Sequence, residues 1–473
     1  MENYDALLCD LSDRIWDYAE IRFQEHKSAA ALAQTLSDHG FTVKTGLAGM
    51  DTAFTAAYGS GHPVIGILAE YDALSGMSQE AGATTPCPRG DASNGHGCGH
   101  HLLGTAAVGA AMMVRDYLAA SGKSGTVVLV GTPAEEGGSG KAYLARAGVF
   151  DGLDLALAWH PASGNSVMTG SMMANCQAYF RFHGRSAHAA ASPHLGRSAL
   201  DAVELMNVGV NYMREHIEPT DRIHYAVLDT GGISPNVVQS RAETLYLIRS
   251  TDNEKVKALY DRVCKIAQGA ALMTETEVEI VFDKACSNIL SNAVVEDLLY
   301  QSMCAVPLPE YTPEELALAE TFKAYFQDSD RAADLSVGFM ENRQKKYMVQ
   351  KFRELPMANF VAEHKHLDVY VAGSSDVGDC SFATPTAQFL AAVAAPGTPI
   401  HSWQMVAQGK TGLAHKGMLY AANVLAEAAR RVIDDPSIAA AARAEFIRET
   451  DGKPYSCPIP PEVQPNGRRT ANC

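Results

Sequence analysis

One short segment of the chain crowds a thiol and three imidazoles into a glycine-lined loop. It reads Gly95-His96-Gly97-Cys98-Gly99-His100-His101. Thiolates and neutral imidazoles are ligands for zinc and neighbouring divalent ions, and glycines let the backbone bend closely around an ion. Further along, the adjacent pair Glu135-Glu136 and His160 each follow an apolar run. These residue types together predict a metal site that could activate water.

Each of these residues also has a structural explanation when it is taken alone. Cys98 could be a small buried apolar residue, and His160 could be a hydrogen-bonded core histidine. Glu135 and Glu136 could form a solvated turn or a helix N-terminus that the helix dipole stabilises. The pairing of Cys98 with His100 two residues later favours the metal site over these explanations.

Length and composition set the class of protein. With 473 residues the chain exceeds the size at which one hydrophobic core usually keeps growing, so two domains are expected. Its 47% hydrophobic and 19% charged residues indicate a soluble globular protein, and no membrane span or secretion signal is predicted. The ten scattered cysteines suit reduced thiols and a cytoplasmic location. A net charge of -16 argues against nucleic acid or an anionic membrane as the main partner.

The residues that could do chemistry follow predicted strands. Short apolar runs at 63–69, 126–131 and 153–159 are typical of buried strands, and helical patterns at 102–120 and 141–147 separate them. This alternation predicts an α/β fold with a mainly parallel, helix-covered sheet. Asp72, Glu135, Glu136 and His160 lie just past strand ends, which is the edge where such sheets bind ligands.

A different pattern begins near residue 175. The order strand, helix, strand, strand, helix, strand indicates an inserted split βαβ domain of α+β, ferredoxin-like type, serving as a lid or dimerisation domain. The predicted boundaries are 1–174 and 293–450 for the catalytic domain, 175–292 for the inserted domain, and 451–473 for an irregular tail. Strand-like runs at 369–372 and 388–394 are expected to rejoin the first sheet.

Six motifs then occur in the order found in a known family. They are Glu70-Tyr71-Asp72-Ala73-Leu74, Gly97-Cys98-Gly99-His100, Glu135-Glu136-Gly137-Gly138, Trp159-His160-Pro161, Ser186-Ala187-His188-Ala189 and Gly373-Ser374-Ser375-Asp376. The chain resembles the binuclear-metal amidohydrolases, a metallopeptidase-like family that includes aminoacylases, hippurate hydrolases and plant auxin-conjugate hydrolases. The resemblance spans nearly the whole chain.

The resemblance implies a role for each matching residue in a centre of two divalent metal ions, zinc or manganese. The implied ligands are Cys98, His100, Glu136, His160 and His401. Glu135 would be the general base and Asp72 would orient a ligand from behind. His415 competes with His401 for the place of the last ligand.

In the inserted domain the resemblance implies residues that hold the substrate. His188, Asn236 and Arg249 match positions that bind the substrate carboxylate or polarise the scissile carbonyl, and His188 commonly does so across a dimer interface. Each could instead be structural: His188 and Asn236 could stabilise turns, and Arg249 could form an ion pair. His96 and His101 are expected to lie behind the ligands or at the surface.

The implied activity is metal-dependent hydrolysis of an N-acyl or N-aroyl amino acid, with p-aminobenzoyl-glutamate as the expected substrate. Within the same chemistry, a dipeptidase or an indole-3-acetyl-aspartate hydrolase is the alternative. Cys98 could also be a nucleophile paired with a histidine. The expected partner is a second copy of the chain or a related polypeptide, forming a homodimer or a heterodimer, and a chain active only with its partner is a further alternative.

Overall fold

The computed structural model describes residues 3–90 and 93–465, which form three β-sheets covered by helices. The strands are β1 (Thr42–Thr45), β2 (Phe54–Ser60), β3 (Val64–Ala69), β4 (Gly125–Gly131), β5 (Leu155–Ala162), β6 (Ser166–Val167), β7 (Ser171–Met172), β8 (Ala174–His183), β9 (Arg222–Asp229), β10 (Arg241–Ser250), β11 (Glu277–Cys286), β12 (Tyr370–Val371) and β13 (Thr386–Ala392).

The α-helices are α1 (Asp5–Tyr18), α2 (His26–Asp38), α3 (His100–Ser121), α4 (Glu135–Gly138), α5 (Gly140–Arg146), α6 (Ala199–Met213), α7 (Asn253–Thr274), α8 (Ala293–Ala305), α9 (Pro313–Lys323), α10 (Asp328–Ala333), α11 (Leu335–Gly338), α12 (Asn342–Glu354), α13 (Val377–Ser381), α14 (Trp403–Gln408), α15 (Gly412–Asp434) and α16 (Ser437–Glu449).

The largest sheet has seven strands in the order β1-β2-β4-β3-β5-β13-β6. Its four central strands, β4, β3, β5 and β13, are parallel, and the outer strands pair antiparallel. The α/β prediction is therefore confirmed, and the parallel sheet predicted from the sequence is its centre. The sequence pattern did not reveal β1 and β2, because β1 is mostly exposed and β2 lacks a long apolar run.

Both faces of the central strands are buried. Along β3, Ile65 and Ile67 enter the core formed with α3 and α15, whereas Leu68 enters the cluster that contains Tyr143 of α5. This two-sided burial explains the nearly continuous apolar run of β3. Among the described residues, α3 is the one helix long and apolar enough to cross a membrane, and most of it is buried inside the protein.

The second sheet has four antiparallel strands in the order β11-β8-β10-β9. Its strands alternate with α6 and α7 in the predicted order strand, helix, strand, strand, helix, strand. Phe180 of β8, Val203 of α6 and Val263 of α7 belong to one buried cluster, so both helices bury an apolar face against this sheet. Strand β9 is paired on one side only, because it ends the sheet.

One predicted strand lies elsewhere than expected. The run at 369–372 does not rejoin the large sheet, because β12 pairs in parallel with β7 in a separate two-stranded sheet. The run at 388–394 does join the large sheet as β13. A hydrophobic run predicts that a strand forms but carries no information about its partner. Residues 451–465 contain no helix or strand, and the rest of the predicted tail, 466–473, lies outside the described residues.

Candidate metal centre

A glycine turn brings the first two predicted ligands to the end of β5. Gly99 has a φ of +81° and immediately precedes α3, and a Cβ there would lie 2.9 Å from Cβ of Pro161. Only glycine fits so close to the strand in that left-handed conformation. Cys98 therefore meets His160 directly, with its Sγ 3.2 Å from His160 Nε2.

His401 approaches from the far end of the chain. Its N–H donates a 2.7 Å hydrogen bond to the carbonyl of Gly97, which attaches its loop to the Cys98 loop. The His401 ring has Nε2 3.3 Å from Glu136 Oε2. His415, the competing residue, has Nε2 2.8 Å from Asp13 Oδ1. The geometry therefore favours His401 over His415 as the last ligand.

The two adjacent carboxylates begin the short helix α4. Ala134, just before them, has a φ of +63°, and its N–H donates a 2.8 Å hydrogen bond to the buried carboxylate of Glu25. This contact fixes the turn between β4 and α4, which presents Glu135 and Glu136. The N–H of Glu136 donates a 2.9 Å hydrogen bond to Asp72 Oδ2.

Asp72 also holds a ring. Its Oδ1 lies 2.9 Å from His100 Nδ1. Nδ1 therefore carries the hydrogen and donates a hydrogen bond to the carboxylate. The other nitrogen, Nε2, is buried, and its lone pair is available to bind a metal ion. A histidine oriented by a carboxylate in this way is typical of metal sites.

The donor atoms form three overlapping groups, in each of which the atoms lie within 4.8 Å of one another. The groups are Cys98, His100 and His160; Cys98, Glu136 and His401; and His100, Glu135 and Glu136. Cys98 belongs to two of them. A shared thiolate between two sets of donors fits two ions better than one.

Unpaired buried atoms test whether these residues fit a metal. Among the described residues, His100 Nε2 and Glu136 Oε1 are buried and have no hydrogen-bond partner. An unpaired buried polar atom costs on the order of 1–3 kcal/mol, so proteins rarely keep one without use. Both atoms belong to the donor groups, and a bound cation would satisfy both.

The electrostatics of the cluster also favour a cation. Burial and Glu136 raise the pKa of the Cys98 thiol, but His160 and His100 outweigh them and lower it to about 6. Burial raises the pKa of Glu136, yet His401 and His100 lower it to about 2. Hydrogen bonds to Cys98 and Glu136 raise the pKa of His401 to about 11. The Cys98 thiolate and the Glu136 carboxylate thus favour the protonated, positively charged form of the neighbouring histidines. A divalent ion would replace the protons on those rings.

Glu135 differs from its neighbour. Burial, followed by repulsion from Glu70, Asp376 and Glu136, raises the pKa of Glu135 well above its usual value. The pKa of Glu135 is raised and that of its neighbour Glu136 is lowered. This difference suits two roles, in which one carboxylate holds a cation and the other exchanges a proton.

A buried ion network behind Glu135 was not predicted from the sequence. The ammonium of Lys141 on α5 lies 2.6 Å from Glu70 Oε1 and 2.5 Å from Asp376 Oδ1. Glu70 Oε2 in turn lies 3.3 Å from His100 Nε2. Glu70 and Asp376 stand inside motifs quoted above, and Lys141 lies in the first turn of α5, beside the small apolar residue Ala142. The acidic residues of the two motifs were the available signal.

The predicted residues of the inserted domain lie at different places. Arg249 of β10 donates a 2.7 Å hydrogen bond to Ser374 Oγ, two residues before Asp376, and so connects the second sheet to the ion network. His188 and Asn236 are exposed. The N–H of Ala189 donates to the carbonyl of Asn236, so their two loops are joined. His188 Nδ1 accepts hydrogen bonds from the N–H groups of Ala190 and Ala191.

His96 and His101 are fully buried rather than at the surface. Their rings lie 4.8 Å apart, and each directs Nε2 at a backbone carbonyl, His96 at Ile15 and His101 at Gly409. Burial lowers the pKa of His96 to about 3 and that of His101 well below its usual value. Both rings are therefore neutral and structural.

Comparison with known proteins gives a consistent result. The model of "Peptidase family M20/M25/M40" matches residues 66–464. The chain is 48% identical over 97% of its length to one subunit of the p-aminobenzoyl-glutamate hydrolase of Escherichia coli (strain K12), covering 95% of that protein. It is 30% identical over 54% of its length to the other named subunit of the same hydrolase, covering 59% of that second protein. A dinuclear metal binding peptidase of the M20 family from Bacillus subtilis has the same fold, with a TM-score of 0.54 and 16% identity over 91% of this chain and 99% of that one.

Proposed function

The chain belongs to peptidase family M20/M25/M40 and is a metal-dependent amidohydrolase, and from this we propose that it hydrolyses N-aroyl-glutamates, with p-aminobenzoyl-glutamate as the substrate. The observation that carries the reaction type is the group of donors around Cys98 beside a second carboxylate of raised pKa. The proposed substrate rests on the 48% sequence identity, over 97% of this chain, to a subunit of the Escherichia coli p-aminobenzoyl-glutamate hydrolase.

We propose that Cys98, His100, Glu136, His160 and His401 hold two divalent ions, zinc or manganese. When bound, such ions supply a water of lowered pKa and positive charge for the carbonyl oxygen. Thiolate and imidazole donors favour zinc, and the carboxylate admits manganese. Asp72 fixes the ring of His100, and Glu25 fixes the turn that presents both glutamates.

Glu135 is the proposed general base. It takes a proton from the attacking water as the oxygen adds to the carbonyl carbon, and it delivers a proton to the amide nitrogen as the carbon–nitrogen bond breaks. A raised pKa suits both steps, because the protonated carboxyl must be stable between them. Lys141 binds both Glu70 and Asp376, and these two buried carboxylates help to raise the pKa of Glu135.

The inserted domain is proposed to bind the glutamate part of the substrate. Arg249 is half-buried and can offer the rest of its guanidinium to a carboxylate, and His188 and Asn236 lie on joined exposed loops. Closure of this domain, proposed to span 175–292, would bring their donors to the scissile carbonyl and expel water.

We propose a cytoplasmic enzyme that assembles with a related polypeptide. The names of the two Escherichia coli relatives, which are different subunits of one hydrolase, support this pairing. Strand β9 is the unpaired edge of the second sheet and exposes Tyr225, Val227 and Leu228, which suits pairing with another chain. Size-exclusion chromatography with light scattering, before and after mixing with the related polypeptide, tests the pairing. If the unmixed sample already has the mass of two copies of this chain, the proposed heterodimer is wrong and the protein is a homodimer.

The experiment for the activity is hydrolysis of p-aminobenzoyl-glutamate by the purified chain. The protein is first stripped with a chelator and then supplied with zinc or manganese, with and without the related polypeptide. Release of p-aminobenzoate only after metal is restored would support the proposal. Activity that resists chelation but is lost on thiol alkylation would favour Cys98 as a nucleophile instead. Faster hydrolysis of a dipeptide or of indole-3-acetyl-aspartate under the same conditions would contradict the proposed substrate.

A further inference from the structure

A second group of metal-ligand side chains lies apart from the centre described above. Glu296 is on α8, and His364 and His366 are in the segment that leads to β12. Glu296 lines a small cavity with Thr386 and Ala387, at the beginning of β13, whereas the candidate centre gathers past the ends of the parallel strands. The two groups share no residue.

The three side chains converge on one point. His364 Nε2 lies 3.4 Å and His366 Nδ1 lies 3.0 Å from the same oxygen, Oε2 of Glu296. Donors bound to one tetrahedral zinc at about 2.0–2.1 Å would be separated by about 3.3 Å. The observed separations of 3.0 and 3.4 Å lie on either side of that value, so the three side chains are close enough to share an ion.

A carboxylate that simply accepts hydrogen bonds from two histidines is the structural alternative, and one atom argues against it. The side chains of Glu296 and His364 are 2% and 3% exposed. Among the described residues, His364 Nε2 has no hydrogen-bond partner despite its closeness to the carboxylate. A buried nitrogen directed at the group without a hydrogen bond is a donor whose lone pair is available to a ligand.

The residues around His364 and His366 resemble those that orient the ligands of a bound metal ion. His366 Nε2 lies 3.0 Å from Asp297 Oδ1, a carboxylate support that would keep the hydrogen on Nε2 and let Nδ1, now in contact with Glu296 Oε2, turn its lone pair to a metal. The ring of Tyr300 packs 5.8 Å from that of His364. His366 is 45% exposed, so a water could complete the coordination from the solvent side.

We propose that Glu296, His364 and His366 bind a zinc ion that is distinct from the catalytic metals. Two imidazoles and one carboxylate without a thiolate suit zinc or a similar divalent ion. The ion would attach α8 to the segment before β12. That segment continues into Ser374, which meets the inserted domain, and Asp376, which meets the buried ion network, so the ion would stabilise the part of the chain that reaches the active site.

The test counts metal in the full-length protein. Each variant is equilibrated with zinc, passed through a desalting column and analysed by inductively coupled plasma mass spectrometry. We expect His366→Ala to retain one zinc per chain fewer than wild type, with its circular dichroism spectrum unchanged. Asp297→Asn should weaken zinc binding at this site by about 10–100-fold in a titration, since it removes only the support of His366.

His62→Ala is the matched control, because His62 also pairs with a carboxylate, Asp154, at 2.7 Å but is 77% exposed and has no third donor beside it among the described residues. Its zinc content should equal that of wild type. Equal zinc in His366→Ala and wild type would overturn the proposal, and so would an equal loss in His62→Ala, which would indicate adventitious binding to surface histidines.

Cobalt gives a second reading of the same site. The difference in cobalt absorption between the Cys98→Ser variant and the same variant with His366→Ala added isolates this site from cobalt held by the other ligands of the candidate centre. Bands in that difference spectrum would support the site, and a flat difference spectrum would contradict it. These readouts do not depend on the substrate, so they separate this proposal from the proposed function.

Discussion

The buried ion network behind Glu135 makes a quantitative prediction about Lys141. Its side chain is fully buried, and its ammonium is paired with both Glu70 and Asp376. Replacing Lys141 by Met keeps the length of the side chain and removes the charge. Two carboxylates would then remain buried without a cation, next to Glu135.

Removing one member of a buried ion pair typically costs about 3–5 kcal/mol, because the remaining charge has no partner. Lys141 serves two carboxylates, so we expect Lys141→Met to lower the free energy of unfolding by about 5 kcal/mol at pH 7. The loss should shrink as the pH falls, since Glu70 and Asp376 can then escape the cost by taking up protons.

Urea unfolding followed by circular dichroism on the metal-free protein, at neutral and at mildly acidic pH, measures this loss. Lys257→Met is the matched control: its ammonium lies 2.9 Å from Asp261 but is 76% exposed, so we expect a change within about 1 kcal/mol. The triple variant with Glu70→Gln and Asp376→Asn added should recover most of the stability. If Lys141→Met were as stable as Lys257→Met at pH 7, the reasoning about a charged buried network would be refuted.

Three further predictions concern the candidate centre and the fold around it. Glu135→Gln should lower kcat by about 10²–10⁴-fold while metal content stays unchanged, whereas Glu136→Gln should lose metal; equal metal loss in both would contradict their separate roles. His401→Ala should lower the metal content measured by mass spectrometry and His415→Ala should not, because His415 is paired with Asp13; the reverse result would exchange their assignments. Burial raises the pKa of Asp379 from 3.8 to about 7, so the folded protein keeps a proton that the unfolded chain has released, and stability should fall by up to about 4 kcal/mol between pH 4 and pH 7. Asp379→Asn should flatten that fall in urea unfolding of the metal-free protein, and an unchanged slope would show that other groups cause it.

Local pattern was sufficient to predict most of the elements. The apolar run of β3 and the long helical pattern of α3 can be read from consecutive residues of the sequence. Burial of one or both faces of an element sets the spacing of its apolar residues. For the same reason Asp72, Glu135 and Glu136 could be assigned to the ends of β3 and β4, whereas His160, predicted just past a strand, lies inside β5. Two strands left too weak a pattern to be found, because β1 is short and mostly exposed and β2 lacks a long apolar run.

Tertiary structure decided which distant residues meet. Lys141 and Asp376 are 235 positions apart, and nothing in the local pattern of either indicates the other. The approach of His401 to Glu136, the pairing of β12 with β7, and the convergence of two histidines on Glu296 are of the same kind. Periodicity records whether a residue is buried, whereas the identity of its partner depends on how the elements pack in three dimensions. The sequence by itself thus determined the elements and the chemistry available, and only the packing determined which charges and donors share a site.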